Sequence, residues 1–161
     1  MKKLLLFFVL LLSIIVSACQ TQCPPLTDSQ KADIEKQIRD LVDKIVVTAE
    51  NLDIAGYPAF LSSDAFIASF LEGSAFQSKT EWVDSVGFWW SQRKSIDLDQ
   101  IKIKVNVLSA DYVVADRVCV WTTTFKDDRI RRTNDAISYI FKKEATGWKI
   151  IYIHESAIEI K

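Results

Sequence analysis

The chain has 161 residues, of which 49% are hydrophobic and 25% are charged, and its formal net charge is −1. This composition is typical of one folded domain and excludes a disordered chain and a many-pass membrane protein. Its four glycines are too dispersed for a G-x-G-x-x-G turn or a Walker loop, so both nucleotide-binding motifs are excluded. A single histidine, His154, excludes a multi-histidine metal site. We therefore expect neither a metal nor a cofactor.

Residues 1–18 have the pattern of an export signal. Two lysines precede an almost unbroken apolar run from Leu4 to Val16, which is too short for a spanning helix of about 20 residues. The segment Val-Ser-Ala-Cys that ends at Cys19 resembles a bacterial lipobox, in which the signal is cut before a cysteine that becomes lipidated. The resemblance implies a lipidated tether over 19–28 and attachment to a membrane through Cys19. An ordinary signal peptide and a buried N-terminal helix are the alternatives.

The expected location is the bacterial cell envelope, outside the cytoplasm. Without its leader the chain is slightly acidic, so it has no electrostatic reason to bind nucleic acid. Of the two remaining cysteines, Cys23 lies in the tether and Cys119 lies in an apolar run, where a small buried residue is expected. A Cys23–Cys119 disulfide is the alternative.

Two amphipathic helices are predicted in the first half. Thr27 and Gln30 form a capping-box pattern, and apolar residues then recur at helical spacing over 34–52. Ser78 and Glu81 form a second capping box, which opens a tryptophan-rich helix that ends near residue 92.

The second half has the period of β-structure. Strands are predicted over 101–107, 112–125, 130–144 and 148–158, and short turns between them indicate an antiparallel meander. Helices on one face of such a sheet make an α+β layer. We expect a curved antiparallel sheet with the helices on its concave face, which together form a cone over residues 29–161.

The final strand carries a family resemblance. Residues 147–156 read Gly-Trp-Lys-Ile-Ile-Tyr-Ile-His-Glu-Ser and resemble the closing strand of the SnoaL-like branch of the NTF2-like superfamily, which often ends in Trp-x-x-x-x-x-His-x-Ser. The order of elements agrees, and the resemblance covers about residues 29–158. It implies an NTF2-like, cystatin-like cone with a pocket, commonly a homodimer through the outer sheet face. Members include isomerases, dehydratases and polyketide cyclases, so the fold does not fix the function.

His154 is a catalytic candidate because histidine alone has an ordinary pKa near neutrality. Simple alternation places it on one strand face with Trp148, Ile150, Tyr152 and Ser156. It is interpreted either as a general base or ligand hydrogen-bonder, or as a structural histidine of the sheet. We favour the structural role, because the matching histidine occurs in members of the family that share no reaction.

Asp135 is the second candidate, because aspartate is disfavoured within a long strand. Facing the cone, it would abstract a proton next to a carbonyl, with Tyr139 or Tyr152 as hydrogen-bond donor to the oxyanion. The alternative, which we favour, is an ion pair with a neighbouring arginine or exposure near a turn.

Aromatic residues dominate the predicted pocket for a hydrophobic small molecule. The expected lining residues are Tyr57, Phe60, Trp82, Trp89, Trp121, Tyr139, Tyr152 and His154. A packed core is the alternative for the same side chains.

Three functions follow from these features. The favoured one is a lipid-anchored module that binds a small molecule or a protein, with no established catalysis. The first alternative is an enzyme similar to SnoaL or ketosteroid isomerase, with His154, Asp135 and Tyr139 as acid–base candidates acting on a hydrophobic carbonyl compound. The second is a dimeric assembly module with a filled cone. A cavity of about 300 Å³ or more with converging polar groups would favour binding or catalysis.

Overall fold

A computed structural model describes residues 25–160 of the chain. The predictions for the signal peptide, Cys19 and Cys23 lie outside these residues. Within them, no helix has the length and apolar character that crossing a membrane requires. The elements in chain order are α1 Asp28–Glu50, a 3-10 helix Tyr57–Phe60, β1 Ala68–Leu71, β2 Ser74–Phe76, α2 Lys79–Ser91, β3 Arg93–Val107, β4 Tyr112–Phe125, β5 Ile130–Glu144 and β6 Gly147–Glu159.

The first helix begins where the sequence predicted. The Thr27 hydroxyl accepts a hydrogen bond from the Gln30 backbone N–H at 3.2 Å, and the Gln30 side chain accepts one from the Thr27 N–H at 2.9 Å. This capping box satisfies two donors that the helix itself leaves free. The buried stripe of α1 comprises Ile38, Val42, Ile45, Val46 and Ala49, and it packs into the main core.

All six strands form one sheet in the order β2-β1-β6-β5-β4-β3. Strands β3 to β6 form the predicted antiparallel meander, whereas β1 joins β6 in parallel, so the sheet is mixed. A parallel pair needs a long crossover, and the connection from β1 to β6 includes α2 and the four strands β2 to β5. We call the face covered by α1 and α2 the inner face and the opposite one the outer face.

The third strand is longer than predicted: it begins at Arg93, whereas the sequence predicted a start near residue 101. Ile96 and Leu98 are buried in its first half. The pairing with β4 then shifts between Asp99 and Lys102, and such an irregularity breaks the alternation that marks a strand in sequence.

A bulge in β6 decides which residues face the cone. Phe141 of β5 is paired with Ile150, but the preceding residue Ile140 is paired with Tyr152, so Ile151 is an extra residue on β6. An extra residue reverses the alternation of all positions that follow it. Trp148, Ile150, Ile153, Glu155 and Ala157 consequently belong to the inner face, and Tyr152, His154 and Ser156 to the outer face.

Candidate functional site

The cone encloses a cavity of about 420 Å³ between the inner face of the sheet and the helices. This volume lies within the range of about 300–1,000 Å³ that is usual for small-molecule sites, and it argues against a filled cone. Its wall is apolar and aromatic near the helices and carries charged groups along the sheet, with lining residues that include Ile45, Tyr57, Leu71, Trp82, Trp89, Trp90, Arg93, Arg117, Trp121, Asp135, Ile137, Tyr139, Ile153 and Glu155.

The aromatic wall is built around α2. The indole N–H of Trp82 donates a hydrogen bond of 2.9 Å to the Tyr57 hydroxyl, which ties α2 to the 3-10 helix. The rings of Trp82 and Trp89 meet edge to face at 5.8 Å, and those of Tyr57 and Trp90 at 5.4 Å. Of the expected pocket residues, the structure places Tyr57, Trp82, Trp89, Trp121 and Tyr139 at the cavity.

Three expected pocket residues lie elsewhere, and these placements correct the sequence prediction. Tyr152 and His154 are on the outer face, where their rings lie 5.8 and 6.2 Å from that of Phe70 of β1. The bulge at Ile151 is the cause. Phe60 lies beside Trp148 at a separate, shallower pocket, because it is at the far end of the 3-10 helix.

The register of the meander brings three charged residues together on the inner face. Ile137 of β5 is paired on one side with Arg117 of β4 and on the other with Glu155 of β6. Asp135, two residues before Ile137, is therefore diagonal to both, at a Cα separation of about 7–8 Å in such a sheet. Two carboxylates and one guanidinium thus converge on the same part of the cavity wall.

Asp135 is at the cavity, as the catalytic interpretation required. Its side chain is 4% exposed, and Oδ1 has no hydrogen-bond partner among the described residues. The alternative of an ion pair with Arg117, Arg131 or Arg132 is not realised within residues 25–160, where none of these lies within 4.0 Å of its carboxylate. Burial raises the pKa of Asp135, and the nearby Thr133 hydroxyl and the charge of Arg117 oppose that rise.

Glu155 is a charged residue of the cavity wall that the sequence did not single out. Burial raises its pKa to about 7, and the charge of Asp135 adds to the rise while Arg117 and Arg93 oppose it. A carboxyl group that titrates near neutrality is suited to accept and return a proton. The consecutive apolar residues Ile150 and Ile151 were the available sequence signal, because two adjacent apolar positions interrupt the alternation of a strand, as a bulge does.

Two tyrosines supply uncharged donors beside these acids. Burial raises the pKa of Tyr139 to about 12 and also raises that of Tyr57, so both keep their protons at neutral pH. The Tyr57 hydroxyl accepts from Trp82 and retains its own O–H for donation. Tyr139 lies on β5 four residues beyond Asp135 and on the same face.

The mouth of the cavity is bordered by the β1–β2 hairpin. Glu72 of its turn pairs with Arg131 of β5, with Oε1 3.2 Å from Nη2. This ion pair is exposed to solvent and contributes little stability, but it neutralises Arg131 at the entrance. Within residues 25–160 no group of three His, Cys, Asp or Glu side chains could hold a metal ion.

The geometry can be compared with solved structures. A proposed scytalone dehydratase from Novosphingobium aromaticivorans has a TM-score of 0.74 at 7% identity, covering 82% of this chain and 89% of that one. A hexachlorocyclohexane dehydrochlorinase (LinA-type3) from Novosphingobium barchaimii has a TM-score of 0.70 at 11% identity, covering 83% and 94%. An NTF2-like superfamily protein from Salmonella enterica has a TM-score of 0.70 at 14% identity, covering 78% and 92%.

These TM-scores establish the shared NTF2-like, cystatin-like fold, and at such low sequence identity they establish nothing about chemistry. No curated protein sequence matches the chain. The family of the SnoaL-like domain matches residues 38–160, a range that includes most of α1, the whole sheet and all the charged residues of the cavity. The chain belongs to the SnoaL-like domain family.

Proposed function

We propose that this chain is an acid–base enzyme that binds a small hydrophobic carbonyl compound in its cone, with Glu155 as the general base. The single observation that carries the proposal is the placement of Glu155 and Asp135, from adjacent strands, on the wall of a mostly apolar cavity. Burying two carboxyl groups there costs stability, and such a cost is typical of sites that use the groups.

In the proposed reaction, ionised Glu155 takes a proton from the carbon next to the carbonyl. The C–H bond breaks, an O–H bond forms on Glu155, and the electron pair moves onto the carbonyl oxygen. The O–H of Tyr139 or Tyr57 donates a hydrogen bond to that oxygen as its negative charge develops. The charge of Asp135 adds to the effect of burial in raising the pKa of Glu155. Because His154 is on the outer face, we assign the role of second acid–base group to Asp135 instead.

Two fold relatives have names that support this chemistry. One is named a dehydrochlorinase and the other a proposed dehydratase, and both names describe the removal of a small molecule from an organic substrate. Because their identities to this chain are low, they support the proposal only by showing that the fold accommodates such reactions.

Deuterium exchange tests the proposal without knowledge of the natural substrate. The neutral ketone 2-tetralone has activated protons next to its carbonyl, and NMR in deuterium oxide measures their exchange. We expect the wild-type protein to accelerate exchange and Glu155→Gln to reduce that acceleration by about 10²–10⁴-fold. Asp84→Asn, at an exposed position of α2, is the control and should exchange at the wild-type rate.

Equal rates for the wild type and Glu155→Gln would contradict a general base at this position. Binding of the ketone without any accelerated exchange would instead support the non-catalytic binding module. A protein that neither binds the ketone nor accelerates its exchange would support the third interpretation, a dimeric assembly module.

A further inference from the structure

Arg117 is a buried cation without a partner. Its side chain is 2% exposed, and its Nε and Nη1 atoms have no hydrogen-bond partner among residues 25–160. Within the same residues, no carboxylate oxygen lies within 4.0 Å of its guanidinium group. Arginine stays charged in proteins, so the fold carries the cost of desolvating this group, which no direct ion pair offsets and which the charges of Glu155 and Asp135 oppose only at longer range.

The surroundings of Arg117 explain why no internal partner reaches it. Its neighbours across the two adjacent strands are Ile103 and Ile137, both apolar. The centroid of the Tyr139 ring is 5.9 Å from the guanidinium carbon. Glu155 is one strand further away in the same row. The guanidinium group therefore lies on the cavity wall with unused donors.

A second arginine extends the positive region toward the mouth. Arg93 at the start of β3 lines the same cavity, and its Nε also lacks a hydrogen-bond partner among the described residues. Its guanidinium carbon is 5.6 Å from the centroid of the Trp121 ring. Because Asp135 and Glu155 both hold their protons more firmly than free carboxyl groups, the cavity is net positive on the acidic side of neutrality.

We propose that the molecule bound in the cone is an apolar body bearing one carboxylate group, and that the guanidinium group of Arg117 on the cavity wall binds this carboxylate. A guanidinium group matches a carboxylate in shape and donates two parallel hydrogen bonds to it. A phosphate dianion fits less well, because its second charge would face Asp135 and Glu155. The tryptophans of the cavity then contact the apolar body of the ligand. This inference rests on the proposed function and specifies its substrate class.

A matched pair of inert ligands tests the proposal. The anion 4-phenylbutanoate and the neutral 4-phenylbutanamide have nearly the same shape, and neither is turned over by proton abstraction during the measurement. Quenching of tryptophan fluorescence reports binding, because Trp82, Trp89, Trp90 and Trp121 line the cavity. We expect the wild type to bind the carboxylate about 10–100-fold more tightly than the amide, as for a charge-assisted hydrogen-bonded pair.

Arg117→Met should abolish this preference by weakening binding of the carboxylate more than binding of the amide, since only the carboxylate forms an ion pair with the guanidinium group. Arg132→Met, at an exposed position of β5, is the matched control and should keep the preference. Arg117→Lys retains the positive charge and should keep part of the preference for the carboxylate. It provides a second variant if Arg117→Met fails to fold. Equal affinities for the two ligands in the wild type, or an unchanged preference in Arg117→Met, would overturn the proposal.

The Glu155→Gln variant separates this inference from the proposed reaction. It should still prefer the carboxylate while failing to exchange the protons of 2-tetralone. If the preference for the carboxylate holds but no exchange is seen in the wild type, the anion site stands and the enzymatic proposal fails. If the wild type accelerates exchange but shows no preference for the carboxylate over the amide, the enzymatic proposal stands and the anion site fails.

Discussion

His154 and Glu155 are consecutive in sequence, but their side chains lie on opposite faces of the sheet, and Ile151 sets which of them faces the cone. His154 packs beside Phe70 on the outer face, whereas Glu155 lines the cavity. The residue with the ordinary pKa nearest neutrality is thus outside the site, and burial gives a neighbouring carboxyl group that property instead.

We first predict that His154→Ala leaves ligand binding and proton exchange within about twofold of wild type. The His154 side chain is exposed, so the free energy of unfolding should change by no more than about 0.5 kcal/mol. Urea denaturation and the fluorescence assay measure the two effects. Loss of exchange in this variant would place the histidine, rather than Glu155, in the reaction.

A second prediction concerns stability against pH. The pKa of Glu155 is raised from 4.5 to about 7 in the folded chain, so folding favours its protonated form. Below pH 4.5 Glu155 is protonated in both states and does not lower the free energy of unfolding. As the pH rises toward and through 7, the free energy of unfolding falls, because the unfolded chain releases the Glu155 proton more readily than the folded one. The loss amounts to at most about 3 kcal/mol, reduced by the partial solvent access of this group. The raised pKa of Asp135 acts in the same direction.

Urea denaturation between pH 5 and pH 8 measures this dependence. Glu155→Gln should flatten the curve and be more stable than wild type at pH 8, whereas Asp84→Asn should retain the wild-type slope. An identical slope in Glu155→Gln would show that this carboxyl group does not titrate with folding.

A third prediction is that Arg117→Met stabilises the protein. Replacing an unpartnered buried charge by an apolar side chain of similar length removes a desolvation cost, and gains of about 1–3 kcal/mol are expected. Thermal and urea denaturation of the ligand-free protein measure the gain. A variant that is less stable than wild type by more than about 1 kcal/mol would indicate that Arg117 is held by contacts within the fold.

We predict, fourth, that the outer face of the sheet joins two copies of the chain. Val118 is 49% exposed at the centre of β4 and projects from this face. Val118→Lys should convert a dimer to a monomer in native mass spectrometry, because two desolvated lysines would oppose each other. Val47→Lys on α1, where the valine is 54% exposed, is the matched control and should stay dimeric. A monomeric wild type would refute the prediction.

The fifth prediction concerns membrane attachment, which we propose to occur through Cys19. Expressed in a bacterium, the wild-type chain should be found in the membrane fraction with the mass of a processed, acylated protein. Cys19→Ser should stay unacylated, and Cys23→Ser should behave as wild type. An acyl-free wild-type chain would exclude the lipid anchor.

The uninterrupted strands were predictable from sequence, and the irregular ones were not. β4 and β5 run over the predicted residues because their alternation is unbroken, and Asp135 and Tyr139 share the expected face for the same reason. The first half of β3 was missed because its register shifts. For the residues after Ile151, the prediction exchanged the inner and outer faces of β6. Tyr152 and His154 were therefore assigned to the cavity in place of Glu155. The parallel pairing of β1 with β6 depends on contacts between distant segments, which local patterns do not contain.

The edge strand β3 has a consequence for how the protein behaves when crowded. It is 15 residues long and forms one border of the sheet, so the backbone groups on its unpaired edge are a template for another strand except where α1 covers them, as at Leu98 N–H, which donates to Glu50, and the Ile103 carbonyl, which accepts from Arg39. Exposed Asp97, Asp99, Lys102 and Lys104 occupy this strand, and its register shift falls between Asp99 and Lys102. We expect the charges and the local distortion to oppose edge-to-edge pairing between copies of the sheet at high concentration.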